Sequence, residues 1–491
     1  MSGPENPLTE VVEPTASAKR HPWLVLLYLS LAGLSFAVLQ SLVAPALPAI
    51  AKDVHASSAS ITWVITAYLL SASVLTPILG RLGDMIGKRR VLLVTLVILG
   101  VGTVLAGLST SLPLLIVARA IQGAAGAILP LSIGIVRDEL PEEKVGVSVG
   151  MLSAIFGIGA GLGIVLAGPI VESLSWEWLF WFPLVLIVVA LIGIAFGVPE
   201  SPIRDNAGSL DLKGTSILTV SLVSILLAIS KGASWGWTSF ATVGLGVLGL
   251  VALVVFARVE LGVKAPLIDM HLLAIRGVWT TNVVGLTFGF VMFGMFVLIP
   301  TLLEMPAETG YGFGKSVSTA GLYLLPATFG MLVFGPISGV LTRRLGARPP
   351  MVVGTLFAVV AFAIPAFSHR TLTEIVLCGV FMGAGLGLAF AAMSNAIIAA
   401  VPATHTSEAM GVNAIVRTVG GSIGSAVIAA ALMANITDLG IPADKAFTVG
   451  FWLAAGIGVI AVMAAFLVPD ARTEAEELER ELERERALAG A

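Results

Sequence analysis

Residues 80–90, GRLGDMIGKRR, decide how this chain is read. They set Arg81, Asp84, Lys88, Arg89 and Arg90 between two long apolar runs, 61–79 and 91–108, so the stretch reads as a short hydrophilic turn joining two membrane helices. The pattern returns later in the chain. Pro77-Ile78-x-Gly80-x-Leu82-x-Asp84 recurs as Pro336-Ile337-x-Gly339-x-Leu341-x-Arg343, and Gly87 is matched by Gly346, all at a single offset of 259 residues. An internal duplication follows.

Composition points the same way. The chain is 57% hydrophobic and 12% charged with a mean hydropathy of +1.01, against roughly 25% charged residues in soluble domains. A helix needs about 20 mostly apolar residues to cross a bilayer core. Fourteen stretches qualify, near 23–50, 61–80, 91–108, 113–135, 145–171, 179–198, 215–230, 240–257, 278–302, 319–341, 351–367, 375–400, 410–434 and 447–468. With both termini inside, twenty of the 27 lysines and arginines fall on the inner side and five on the outer side. Cytoplasmic loops hold the excess of basic residues, which predicts an N-in, C-in chain.

The repeat extends beyond the first motif. Gly123-Ala124 matches Gly383-Ala384, and Ala154-Ile155 with Gly161 matches Ala414-Ile415 with Gly421, at an offset of 260. The expected fold is therefore an all-α integral membrane protein of fourteen transmembrane helices: two six-helix bundles related as parallel repeats, plus an inserted helix pair. The expected divisions are a cytoplasmic tail at 1–22, the first bundle at 23–200, helices seven and eight with their flanking loops at 201–277, the second bundle at 278–468, and an acidic cytoplasmic tail at 469–491. Thr473 and Glu476 form a capping-box pattern that starts a helix in that tail. Such paired bundles expose a midplane site alternately to either side.

Several classes are excluded by the residues. A net charge of -3 offers nucleic acid no basic surface, and the single cysteine, Cys378, rules out a disulfide framework. Residues 310–316, GYGFGKS, imitate a phosphate-binding loop but are one residue short of it and fall in an outer loop, so no nucleotide is expected. The five histidines lie in loops or at span ends without metal-ligand spacing. No nucleophile–base pair appears in the spans, so an enzyme is not expected.

The candidate working residues fall into three groups. Gly80, Asp84, Gly87, Arg89 and Arg343 form the repeated motif; Asp84 can accept bonds from a neighbouring helix N-terminus or an arginine and latch the bundles in one state. Arg119 lies about 10 Å deep in span four, with Gln122 one turn further on the same face. Placing arginine at a span centre costs about 2.5–3.5 kcal/mol, so it reads as facing a cavity or a partner, with snorkelling to the outer headgroups as the other reading. Arg417 in span thirteen reads equally as a cavity residue or as one snorkelling to the inner surface. Gln40, Ser41, Tyr68, Asn282, Met292, Tyr323, Asn395 and Asn413 can line a cavity or bond between helices. Glu304, at the outer end of span nine, reads as a rim charge or a proton carrier. The third group is the glycine run Gly157-x-Gly159-x-Gly161-x-Gly163 with Gly168-Pro169, read as close packing and as a gate.

These motifs resemble the major facilitator superfamily, specifically its fourteen-helix drug:proton antiporter branch. Gly80-x-Leu82-x-Asp84-x-x-Gly87-Lys88-Arg89 is similar to the family's loop 2–3 signature, Arg119-x-x-Gln122-Gly123 to its span-four signature, and the glycine run to its antiporter motif. Asp211-x-x-Gly214 looks like a further landmark of the branch. The resemblance implies export of hydrophobic or amphiphilic small molecules, such as drugs, antibiotics or secondary metabolites, in exchange for protons. It implies a monomeric, multi-pass protein of a bacterial plasma membrane that meets lipid and substrate and uses a proton gradient instead of a cofactor. The sequence departs at Met85, where the family has arginine, at Ile164, where the antiporter motif has proline, and at Leu39, where the branch has an aspartate. Leu39 keeps open a proton-independent facilitator or an organic-anion or nutrient transporter of the same fold. A non-transporting membrane sensor is the third reading.

Overall fold

The structure is a computed structural model that describes residues 22–201, 203, 210–263, 265–437 and 440–469. The tails at 1–21 and 470–491, with the expected helix after Thr473, lie outside the described residues. Among the described residues, fourteen helices are long and apolar enough to span a membrane: α1 Pro22–Asp53, α2 Trp63–Ile86, α3 Lys88–Gly107, α4 Leu112–Glu139, α5 Glu142–Ser173, α6 Trp178–Gly197, α7 Leu212–Trp235, α8 Phe240–Glu260, α9 Arg276–Glu304, α10 Ser318–Leu345, α11 Arg348–Phe367, α12 Leu372–Ala400, α13 Thr406–Ala434 and α14 Asp444–Leu467. Outward faces such as Val185, Val189, Ile192 and Phe196 on α6 and Val247, Leu250 and Val254 on α8 are exposed and apolar, as a lipid-facing surface requires.

Helix ends follow local chemistry. Thr371 and Glu374 form a complete capping box at the start of α12, and Asp211 and Ser239 accept backbone N–H bonds at the starts of α7 and α8. The turn expected across residues 80–90 is tighter than the charges suggested. α2 stays helical to Ile86, α3 starts at Lys88, and Gly87 alone makes the reversal with φ 117°. Its repeat partner Gly346 has φ 84°. Both angles favour glycine because a Cβ strains them. Span four is not one continuous α-helix either, since residues Gly123–Ala127 tighten to a 3-10 turn where α4 comes close to α2.

The duplication is visible in the packing. α1 packs on α5 and α6 as α9 packs on α13 and α14, and α3 packs on α6 as α11 packs on α14. Lipid supplies no hydrophobic force between helices, so small residues decide how near they come. A Cβ on Gly159 would lie 2.6 Å from Ala37 Cβ, and one on Gly163 2.7 Å from the Val38 carbonyl. Gly420 and Gly424 meet the Leu286 and Phe290 backbones of α9 in the same way. The halves join along two equivalent seams, α5 with α10 and α13 with α2. The inserted α7 leans on both α2 and α13, so it covers the second seam. Its Lys231 donates to Thr62 Oγ1 at 2.9 Å and lies over the Trp63 ring.

Candidate functional site

At the Lys- and Arg-rich face the α2–α13 seam is closed by buried charge. Asp84 is fully buried, and its carboxylate accepts from the backbone N–H groups of Glu408 at 2.9 Å and Ser407 at 3.4 Å. These are first-turn donors of α13 that have no partner within their own helix, so a carboxylate there meets both N–H groups and the positive helix end. Lys88, also fully buried, lies 3.5 Å from Asp84 and 2.5 Å from Asp138 of α4. Arg81 pairs with Glu408 at 3.4 Å, and Glu408 also accepts from the Asp269 N–H at 2.7 Å. Arg137 donates to Thr406 Oγ1 and to the Val401 carbonyl. A Cβ on Gly80 would stand 2.8 Å from the Ser407 carbonyl oxygen, so this position admits no side chain without separating the helices.

Two motif residues take other places. Arg89 donates to the Ile194 and Ala195 carbonyls at the end of α6, which ties α3 into its own bundle instead of bridging the seam. Arg343 is exposed and lies beside Glu143, Lys144 and Trp23. The burial of the Lys88, Arg81, Asp138 and Glu408 side chains and the half-burial of Arg137 are not legible in the sequence, where a charge near a helix end looks the same whether it meets water or the opposite bundle.

Beyond this closure lies a cavity of about 600 Å³. Its walls come from the middle of α5, α12 and α13 and from the halves of α1, α2, α9 and α10 remote from the Lys- and Arg-rich face, so it is displaced toward the opposite face. The lining is largely apolar and aromatic. Gln40, Ser41, Tyr68, Met292, Arg119, Arg417 and Glu304 all contribute to it. Arg119, 1% exposed, donates to Gln122 Oε1 at 2.8 Å and to the Val64 carbonyl at 3.3 Å, and lies 4.4 Å from the Tyr68 ring centroid. Gln122 stands behind it, bonded to Thr103 of α3, and does not line the cavity. Arg417 is 9% exposed and packs 4.1 Å from the Phe390 ring centroid, so it faces the cavity rather than snorkelling to the surface. Glu304, the last residue of α9, is exposed at the rim.

Other polar candidates satisfy helix contacts instead. Asn413 donates to Asn282 Oδ1 at 2.9 Å between α13 and α9, and Asn395 donates to the Ala391 and Gly146 carbonyls. Tyr323 sits at the break between the two helical pieces of α10 and is not part of the cavity wall. The α5 glycines divide by face. Gly159 and Gly163 meet α1, whereas Gly157 abuts Met331, Gly161 abuts Thr328 and Gly168 abuts Ser318, all on α10 across the seam. α5 remains helical through Pro169.

Family comparison fits this architecture. The family model described as Major Facilitator Superfamily matches residues 29–314 and 284–490. The chain belongs to this superfamily. Among its relatives, the multidrug transporter protein MdtP of Bacillus subtilis (strain 168) is 28% identical over 409 residues, covering 81% of this chain and 73% of the relative. The tetracenomycin C resistance and export protein of Streptomyces glaucescens is 27% identical over 431 residues, covering 87% and 79%. Among solved structures, the human organic anion transporter MFSD10 superposes with a TM-score of 0.62 at 15% identity, covering 92% of this chain and 100% of that one, a likeness of fold alone. The protein is thus a multi-pass facilitator-superfamily transporter with bacterial relatives named for multidrug transport and for tetracenomycin C resistance and export.

Proposed function

We propose that the protein exports hydrophobic or amphiphilic small molecules across a bacterial plasma membrane in exchange for protons, as a monomer and without a bound cofactor. The observation that carries this reading is the pairing of a largely apolar cavity of about 600 Å³ with a closure of buried charge that, among the described residues, lies at one face. With the Lys- and Arg-rich face cytoplasmic, the state described is outward-facing. Substrate leaves from it, and re-entry to the inward-facing state requires the Asp84–α13 contact to part while the α5–α10 seam rocks on its glycines.

Proton coupling on this reading runs through the closure. Glu304 is an exposed rim charge, and Leu39 leaves α1 without the branch's aspartate, so the buried carboxylates available are Asp84, Asp138, Glu260 and Glu408. Asp84 and Glu408 are both held across the seam, Glu408 by Arg81 and Asp84 by the backbone N–H groups that open α13, and Asp84 is the one held by a helix N-terminus. Neutralising it removes the attraction to the α13 N-terminus and to Lys88, which frees the seam. Arg119, clamped by Gln122 and Val64 beside Tyr68, holds the α2–α4 wall of the cavity in shape.

The test uses purified protein in proteoliposomes with an internal pH dye, challenged with lipophilic cations, neutral antibiotics and organic anions. Substrate-dependent proton movement that Asp84→Asn abolishes is the expected result. Substrate flux without proton movement refutes the antiport mechanism and leaves a facilitator. Arg119→Ala is expected to lose transport while still inserting in the membrane; full transport by that variant removes its assigned role.

A further inference from the structure

The two guanidiniums of the cavity are not equivalent. Arg119 already spends two of its five donors, on Gln122 and the Val64 carbonyl. Arg417 makes no hydrogen bond and no ion pair among the described residues; its one polar-type contact is with the Phe390 ring. An arginine nine-tenths buried with no acceptor is an unfilled demand for an anion, because a guanidinium presents five donors and its charge is poorly screened away from water. The one carboxylate lining the cavity, Glu304, is exposed at the rim.

Rings connect the two arginines. From Arg417 the Phe390 ring stacks on Phe156 at 6.4 Å between centroids, Phe156 meets Phe36 at 5.2 Å, Phe36 meets Tyr68 at 6.5 Å, and Tyr68 carries Arg119 on its face. The Phe156–Phe390 step crosses from one bundle to the other. The buried Tyr68 Oη has no hydrogen-bond partner among the described residues. A flat ligand lying along these rings meets aromatic faces and edges throughout, with an unused cation at one end.

We propose that Arg417 is the anchor for the acidic group of an aromatic organic anion, and that such anions are the preferred substrate class of this cavity. The proposal rests on the cavity being the transport site. A carboxylate, sulfonate or phenolate can take a two-bond, charge-assisted grip on the guanidinium, which a neutral amide lacks and an ammonium reverses. The α1 wall suits an anion as well: Phe36, Ala37, Gln40, Ser41, Ala44 and Pro45 place no carboxylate against it. Export of a negative charge is favoured by an inside-negative membrane potential, so this substrate class needs least from the missing α1 aspartate.

The experiment measures binding by full-length protein in nanodiscs, using three fluorescent probes with the same ring system: 9-anthracenecarboxylate, its carboxamide and 9-anthracenemethylammonium. The carboxylate is expected to bind about tenfold or more tighter than the carboxamide, with the ammonium weakest. Arg417→Gln should erase that preference while leaving carboxamide affinity within about twofold, and Arg417→Lys should restore part of it. Retained carboxamide binding also certifies that the variants fold. If carboxamide and ammonium bind as tightly as carboxylate, the anion class is wrong while the cavity stands as a binding site. If none of the three binds, the cavity is not the transport site and both readings fall. Equal loss of all three probes in the Gln and Lys variants would show Arg417 to be structural and overturn the proposal.

Discussion

The first copy of the repeated motif seals the two bundles together, and the second, built on the same backbone, does not. Gly80 approaches the Ser407 carbonyl of α13 as Gly339 approaches Val147 of α5, where a Cβ would stand 2.6 Å from the Val147 Cα. Positive φ angles at Gly87 and Gly346 end both helices alike. The difference lies in the partner helix. α13 begins at Thr406, so Ser407 and Glu408 present free N–H groups to Asp84. α5 begins at Glu142, more than a turn before Val147 and Ser148, so the corresponding N–H groups are already bonded within the helix. A carboxylate at position 343 would find no free backbone N–H there. Arg343 instead reaches the water-facing edge near Glu143. One seam therefore carries a buried, charge-dependent catch, and the other carries close glycine contacts and an exposed Ser318–Glu172 hydrogen bond at 3.2 Å.

The largest effect expected from this asymmetry is on transport. Asp84→Asn removes the charge facing α13 and leaves Lys88 with Asp138 alone, a disruption of a buried charged group of the kind that costs about 3–5 kcal/mol. Initial transport rates in proteoliposomes should fall by tenfold or more, whereas Arg343→Gln should stay within about twofold. Equal losses in the two variants would mean that both seams carry the catch. Glu408→Gln comes next. It weakens the Arg81 contact across the seam and the Asp269 N–H bond, and it should lower the rate by less than Asp84→Asn because the α13 N–H groups keep their acceptor.

The sequence was informative about one side of each contact and silent about the other. Spans and repeat were legible because apolar length and fixed offsets are local quantities. Asp84 stood out because a carboxylate beside an apolar run must be satisfied by something. Its partner lies more than 320 residues away and is a pair of backbone N–H groups, which no residue type announces. Arg89 and Lys88 are neighbours of the same charge, yet Lys88 points into the seam and Arg89 to the end of α6. Only helical phase and the position of α6 separate them. Gln122 and Asn282 show the same limit, since a polar side chain within a span serves a neighbouring helix as readily as a cavity.

A smaller effect tests whether the two turns are as alike as their angles. Gly87→Ala and Gly346→Ala each force a side chain into a positive-φ conformation, at a cost of about 1–3 kcal/mol. Gly87 carries a further constraint. A Cβ there would lie 2.5 Å from the Glu200 carboxylate, which accepts from the Arg89 N–H and sits 3.6 Å from Arg90. Gly87→Ala should therefore lower the melting temperature of the detergent-solubilised protein more than Gly346→Ala. The excess should vanish in a Glu200→Ala background, where the displaced carboxylate is gone and only the backbone strain remains. If the excess persists there, the first turn is held by something other than Glu200, and the equivalence of the two turns is limited to their dihedral angles.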